Sequence, residues 1–251
     1  MDALILAAGR NDGPLKACHG PSMEALIPLC GRPMTDYVVQ ALVDSQEIEQ
    51  VVVVGPTELA ARYAGDQRIT VVSGGDDHLD SLWRGLRALP STDGYLLIAT
   101  GDLPLLNRQV VADFLGRCRE NEGDVYYPVV RREICEERFP GVRRTFVRLQ
   151  EGEFTGGNLF LVHRRVIAGA MERARQFIRL RKRPLALSRL LGWPFVIRFL
   201  LRRLSIEQAQ QRMSAMFGFR AVCIVSPCPE LAIDVDKPVD LEMIGRWLSK
   251  T

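Results

Sequence analysis

Residues 95–104 read Tyr95-Leu96-Leu97-Ile98-Ala99-Thr100-Gly101-Asp102-Leu103-Pro104, an apolar run that ends in a glycine, a carboxylate and a proline. The run has the composition of a buried strand, and a helical pattern follows it. Asp102 therefore stands at the carboxyl end of a predicted strand, the edge at which open α/β sheets bind ligands. A carboxylate held there can bind a divalent cation beside a phosphate; the alternative is an Asx turn or a helix cap.

Three more apolar runs precede this strand, at residues 4–7, 51–54 and 69–72. Helical patterns separate them, and the clearest repeats leucines at steps of three and four from Leu79 to Leu89. Short apolar strands that alternate with helices predict a mostly parallel sheet covered by helices on both faces. Right-handed crossovers would bring the loops after these strands to one edge of the sheet. The loops are residues 8–24, 73–78 and 100–104.

The second half of the chain is less regular. Further strand-like runs lie at residues 125–130, 158–162 and 221–225. Residues 163–217 are mostly helical in pattern, with breaks at Pro184 and at Gly192-Trp193-Pro194. No repeat or linker divides the sequence. We therefore predict a single domain over residues 1–251, with a basic helical insertion at about 164–218.

The composition is that of a globular protein, with 47% hydrophobic and 25% charged residues. No apolar run reaches the ~18 residues of a membrane-spanning helix, and the N-terminus lacks the pattern of a signal peptide. The six cysteines include no C-x-x-C pair. We expect free thiols, no zinc site and a cytoplasmic location.

The loop after the first strand is rich in small residues and begins Leu6-Ala7-Ala8-Gly9-Arg10. A strand that runs into such a loop exposes backbone N–H groups, which can cradle a phosphate. The loop is neither a Walker A motif, which needs Gly-Lys-Ser/Thr, nor a G-x-G-x-x-G fingerprint. Alone it is a weak signal, because many α/β turns favour small residues.

The order of the motifs is more specific than any one of them. In chain order they are Leu6-Ala7-Ala8-Gly9, Ala25-Leu26-x-Pro28-x-x-Gly31-Arg32-Pro33-Met34, residues 51–55, Ser73-Gly74-Gly75 with Ser81, Gly101-Asp102-x-Pro104, Thr155-Gly156-Gly157-Asn158 and Asp234-Val235-Asp236-Lys237-Pro238. The set resembles the GT-A-like nucleotidyltransferases and, among them, the MobA-like NTP transferases. The resemblance covers roughly residues 1–162 and 220–250.

The resemblance implies a three-layer α/β/α sandwich and a magnesium-dependent reaction. A phosphorylated acceptor would attack the α-phosphorus of an NTP, and pyrophosphate would leave. Asp102 and Asp236 would hold Mg2+, with Asp234 as the alternative to Asp236; the two later acids could instead cap the helix that follows Pro238. The nucleotide-binding residues would be Ala7, Ala8, Gly9, Arg10, Gly75, Ser81 and Asp102, and the acceptor-binding residues would be Gly157 and Asn158.

One residue departs from the family pattern. Glu24 precedes Ala25-Leu26 at a position where relatives usually carry a lysine that neutralises phosphate charge. A carboxylate cannot do this, so we expect Lys16 or Arg10 of the same loop to supply the charge, and we assign Lys16 to catalysis; a solvated loop lysine is the alternative. Two other functions stay open: a nucleotide-binding or scaffold protein without turnover, and a metal-dependent glycosyltransferase, whose D-x-D pair is incomplete at Asp102.

Residues 173–203 carry ten Lys or Arg and no Asp or Glu, which leaves a net charge of −7 on the rest of the chain. Such asymmetry predicts a surface that meets an anionic partner. The segment could pack on the sheet or on a second subunit as a homodimer, lie on the inner face of a membrane, or bind a small-molecule or lipid-like acceptor. No nucleic-acid motif accompanies the charge, so we expect no nucleic-acid partner.

Overall fold

The structure is a computed structural model that describes residues 1–18, 21–180 and 184–249. Residues 181–183 of the basic segment therefore lie outside the described residues. The strands are β1 (Asp2–Leu6), β2 (Pro28–Leu29), β3 (Arg32–Pro33), β4 (Gln50–Gly55), β5 (Ile69–Ser73), β6 (Tyr95–Thr100), β7 (Val125–Arg131), β8 (Val147–Leu149), β9 (Gly152–Gly156), β10 (Leu159–His163) and β11 (Ala221–Ser226). The helices are α1 (Met34–Val43), α2 (Glu58–Tyr63), α3 (His78–Ala88), α4 (Arg108–Arg119), α5 (Arg132–Arg138), α6 (Arg164–Leu180), α7 (Pro184–Leu191), α8 (Trp193–Leu200), α9 (Ile206–Phe217) and α10 (Pro238–Leu248). Three short 3-10 helices are Pro14–Cys18, Glu24–Leu26 and Pro229–Leu231.

Within the described residues, nine strands form one sheet in the order β5-β4-β1-β6-β10-β7-β9-β8, with β11 paired to β7. The first four strands of this order are parallel, and Leu4 lies in register with Val52 and Ile98. Strand β10 is antiparallel to both of its neighbours. The predicted mostly parallel sheet is confirmed, and the carboxyl ends of β1, β4, β5 and β6 share one edge.

Alternate residues of β1 face opposite sides of the sheet. Ala3 and Ile5 belong to a buried cluster that includes side chains of α1 and α4, whereas Leu4 belongs to a second cluster with side chains of α3 and α6. Each fully buried leucine or isoleucine of this kind contributes about 1.5–3 kcal/mol. Helices on both faces confirm the three-layer α/β/α arrangement.

Four helices, α6 to α9, lie between β10 and β11 in the chain. Ile167 anchors α6 in the cluster around Leu4, and α9 packs against β11. The predicted breaks occur where α7 begins at Pro184 and where α8 begins after Gly192, whose φ is 88°. Among the described residues, no helix combines the length and the apolar character that crossing a bilayer requires.

Candidate functional site

A cleft of 910 Å³ opens at the carboxyl edge of the parallel strands. The loops after β1, β5 and β6 all contribute to its wall, as their positions in the sequence predict. The residues that line it are Leu6, Ala7, Ala8, Gly9, Arg10, Asp12, Glu24, Ala25, Met34, Gly75, Asp76, Asp77, His78, Ser81, Thr100, Gly101, Asp102, Asn158, Phe160 and Ile178.

Small residues let the loops of the cleft pack on one another. A Cβ atom added to Gly74 would lie 2.4 Å from Cβ of Ala8, and one added to Gly101 would lie 2.9 Å from Cβ of Ala7. Gly75 donates its N–H to Oγ of the buried Ser81 at 3.0 Å, which fixes the loop after β5. Some of the small residues in these loops are therefore explained by the packing of one loop on another.

Three carboxylates meet beside these loops. Asp102, Asp234 and Asp236 each place one oxygen within 4.8 Å of the oxygens of the other two. The N–H of Val235 donates to the backbone carbonyl of Asp102 at 3.0 Å, and this bond holds residues 234–236 against the turn after β6. Carboxylate oxygens at this spacing suit a hard divalent cation such as Mg2+.

The three carboxylates differ in their surroundings. Asp102 is partly buried and accepts a hydrogen bond from the Thr100 hydroxyl. Burial raises the pKa of Asp102, and repulsion from Asp236 adds to this effect. Asp234 pairs with Arg144, and both side chains are nearly buried, at 14% and 11% exposure. Asp236 is exposed. Of the three carboxylates, only Asp234 forms an ion pair with an arginine among the described residues.

Asp236 could instead have capped α10, but the carboxylate that bonds to the backbone at the start of this helix belongs to Asp240. The carboxylate of Asp240 accepts the N–H of Asp236 at 3.2 Å and that of Lys237 at 2.9 Å. Asp240 is buried at this position. The side chain of Asp236 is therefore left to face the other two carboxylates.

Glu24 is a further carboxylate near this group, and like Asp102 it lines the cleft. Its N–H donates to the carbonyl of Gly9 at 3.0 Å, and a Cβ on Gly9 would lie 2.7 Å from Oε2 of Glu24. Burial raises the pKa of Glu24, and repulsion from Asp102, Asp236 and Asp12 raises it further. The sequence identified Glu24 only as a departure from the family pattern; the structure places it inside the site.

The two basic residues predicted to serve the phosphates are placed differently. Arg10 lines the cleft and forms an isolated bridge with Met23. Lys16 is exposed on the 3-10 helix Pro14–Cys18 and does not belong to the lining of the cleft. The geometry favours Arg10 over Lys16 as the source of positive charge.

Asn158 and Gly157 also have different positions. Asn158 lines the cleft, and its N–H donates to Leu231 at 2.8 Å. Gly157 packs behind the cleft, because an added Cβ would lie 2.8 Å from the carbonyl oxygen of Leu231. Of the two predicted acceptor residues, only Asn158 lines the cleft.

Several residues of the site lie outside the sequence prediction. Asp76 belongs to a loop that was predicted to reach this edge, so its position could have been expected. Arg144 pairs with a residue 90 positions away, and no local pattern signals such a contact. Ile178 enters the cleft from α6, which the motifs do not cover.

Comparison with known proteins gives three results. The sequence profile of the MobA-like NTP transferase domain matches residues 3–186. A hypothetical transferase structure from Thermus thermophilus is 36% identical, with a TM-score of 0.83, over 96% of this chain and 98% of that one. The 4-diphosphocytidyl-2C-methyl-D-erythritol synthase of Anaerococcus prevotii, at 13% identity, shares the fold with a TM-score of 0.61 over 99% of this chain and 97% of that one.

A curated relative matches the chain over a shorter region. The 2-C-methyl-D-erythritol 4-phosphate cytidylyltransferase of Lachnospira eligens is 28% identical over 116 residues, which are 43% of this chain and 49% of that protein. The chain thus spans about half the length of the curated relatives it matches.

Proposed function

This chain belongs to the MobA-like NTP transferase family, and from that premise we propose that it moves a nucleoside monophosphate from an NTP to a phosphorylated or lipid-like acceptor. Pyrophosphate is the second product. The proposal rests on one observation: carboxylates from distant parts of the chain, at residues 234 and 236, meet Asp102, which lines the cleft together with a small-residue loop. This arrangement combines a place for a triphosphate with a place for its cation.

The carboxylates fit Mg2+ because they supply closely spaced oxygen ligands. Asp102 and Asp236 would hold the ion, while Arg144 compensates the charge of Asp234. When bound, Mg2+ neutralises charge on the α-phosphate and the leaving group. The surplus negative charge that Glu24 and Asp12 add to the cleft also favours a cation there.

The remaining residues of the cleft position the reactants. In this proposal Ala8 and Gly9 let the phosphates approach the backbone, and Arg10 supplies positive charge. Gly75 and Ser81 face the nucleoside, and Asn158 faces the acceptor. Phosphoryl transfer demands little covalent work from the protein, so holding the two reactants in line supplies most of its contribution.

The direct test is pyrophosphate release. The purified chain is incubated with Mg2+, each of the four NTPs and a panel of sugar and polyol phosphates. CTP with 2-C-methyl-D-erythritol 4-phosphate comes first, because curated relatives are named 2-C-methyl-D-erythritol 4-phosphate cytidylyltransferases. Asp102→Asn keeps the size of the side chain but removes its charge, so we expect release to fall at least ~100-fold.

The matched control is Glu242→Gln, which removes an exposed carboxylate on α10 that pairs with Arg246. We expect this variant to release pyrophosphate at the rate of the parent chain. Equal rates for Asp102→Asn and the control would refute the role of Asp102. NTP binding without release, measured by calorimetry, would favour a nucleotide sensor or scaffold, and hydrolysis of nucleotide sugars would favour a glycosyltransferase.

A further inference from the structure

Helix α8 (Trp193–Leu200) presents an apolar face to solvent. Trp193, Ile197, Leu200 and the following Leu201 are 57%, 51%, 71% and 60% exposed. Their spacing of four, seven and eight residues from Trp193 places them on one side of the helix. None of the side chains of α8 is buried. A helix of this composition normally turns its apolar face to a core, and here that face has no cover within the described residues.

The exposed apolar side chains are concentrated in this one place. The described residues expose ten large hydrophobic side chains in all, and five of them lie within residues 193–201. The other five are scattered over α3, β7, β8, β11 and α10. Single exposed hydrophobic residues are normal on protein surfaces, whereas a cluster of this kind marks an interaction site.

Exposed cations lie on and beside α8, and two acids approach its C-terminal end from the β8–β9 hairpin: Glu151 accepts the N–H of Ile206, and Glu153 interacts electrostatically with Arg202. Arg189, Arg198 and Arg203 are exposed and form no ion pair with the described acidic residues. Arg202 has a left-handed φ of 58°, so the chain turns at the end of α8 and brings Arg203 back beside the helix. The sequence contains no Asp or Glu between residues 173 and 203. A partner that supplies both apolar material and negative charge would complement the apolar face and these three unpaired arginines.

We propose that α8 and its flanking arginines dock on the surface of an anionic phospholipid bilayer. The apolar side chains would enter the boundary between headgroups and acyl chains, and the arginines would stay at the phosphates. A second copy of the chain fits less well, because a two-fold dimer through this face would place its unpaired arginines against their own copies. Charge complementarity therefore decides for the bilayer.

Docking through α8 would also affect the cleft. Ile178 of α6 lines the cleft, and α6 contacts α7, which contacts α8. The same group of helices thus joins the proposed membrane surface to the wall of the candidate site. Use of a lipid-linked phosphate as the acceptor would then follow from docking; this last step rests on the proposed function, whereas membrane docking does not.

The test is co-sedimentation of the full chain with vesicles, in the absence of nucleotide. Vesicles of phosphatidylcholine alone are compared with vesicles that also contain phosphatidylglycerol. We expect binding to the anionic vesicles at low salt and its loss at high salt, where surface charges are screened. Leu200→Ser/Leu201→Ser and Arg198→Gln/Arg203→Gln should each weaken binding about tenfold or more. Thermal unfolding verifies that each variant folds.

The control is Val239→Ser, which removes an exposed apolar side chain, 52% exposed, on α10. We expect it to bind as the parent chain does. Equal binding by Leu200→Ser/Leu201→Ser and the parent would overturn the proposal. So would a parent chain that ignores anionic vesicles and forms a dimer that the same double variant dissociates, as measured by light scattering. Because no nucleotide is present, none of these outcomes depends on the transferase activity.

Discussion

The cleft and helix α8 differ in how their charged side chains are partnered. In the cleft, Thr100 donates to Asp102 and Arg144 pairs with Asp234, so partners within the chain hold the carboxylates in place. Arg198 on α8 and Arg203, which follows the helix, are exposed and have no acidic partner among the described residues. The fold itself therefore holds Asp102 and Asp234, whereas in our proposal the arginines find their partner on an anionic bilayer.

The largest effect on stability is expected from removing one arginine in each region. Arg144→Gln leaves Asp234 nearly buried without its partner, and breaking such a pair costs about 3 kcal/mol of unfolding free energy. Arg198→Gln removes an exposed, unpaired charge, so we expect a change within about 0.5 kcal/mol. Urea unfolding of both variants in EDTA measures the difference. Equal losses would mean that the two regions do not differ in how their charges are held.

The sequence predicts the cleft better than it predicts α8. Parallel strands bring their carboxyl ends together, so the positions of Gly9, Gly75 and Asp102 follow from the alternation of strands and helices. That residues 234–236 lie close to Asp102 was expected only from the resemblance to a family. The partner of Asp234 could not be predicted, because Arg144 comes from a polar stretch without periodicity and is brought there by the tertiary fold alone.

The basic segment shows the limit of periodicity. Its sequence is compatible with a packed helix, a membrane-bound helix or an acceptor site, because all three share the same alternation of apolar and cationic residues. The exposure of Ile197 and Leu200 shows that this face does not pack on the sheet of its own chain, and exposure depends on neighbours that are distant in sequence. Lys16 illustrates the same limit, because its position in the loop did not tell that it would be exposed and outside the lining of the cleft.

Gly74 in a loop of the cleft and Gly169 on α6 differ in how closely other atoms pack around them. An added Cβ on Gly74 meets Cβ of Ala8 at 2.4 Å, while one on Gly169 of α6 meets nothing within 4 Å. Gly74→Ala must therefore move a loop of the cleft, and we expect a loss of about 1–3 kcal/mol in unfolding free energy. Gly169→Ala should instead stabilise the chain by about 0.5–1 kcal/mol, because alanine favours the helix. Denaturant midpoints of the two variants should move in opposite directions, and a shared direction would contradict the prediction.

The smallest effect is a pH dependence that belongs to the cleft alone. Burial and the repulsion of Asp102 and Asp236 raise the pKa of Glu24 above its ordinary value of 4.5. The folded chain then holds the Glu24 proton more tightly than the unfolded chain does, so ionisation of Glu24 destabilises the fold as pH rises through the raised pKa.

Glu24→Gln removes this penalty. In EDTA, its gain in urea midpoint should be largest near neutral pH and should shrink as pH falls toward 4.5. Glu242→Gln, on the exposed side of α10, serves as the control for the loss of a carboxylate. If the gain from Glu24→Gln stays constant across this range, its cause is the packing of the new side chain and not the removal of negative charge from the cleft.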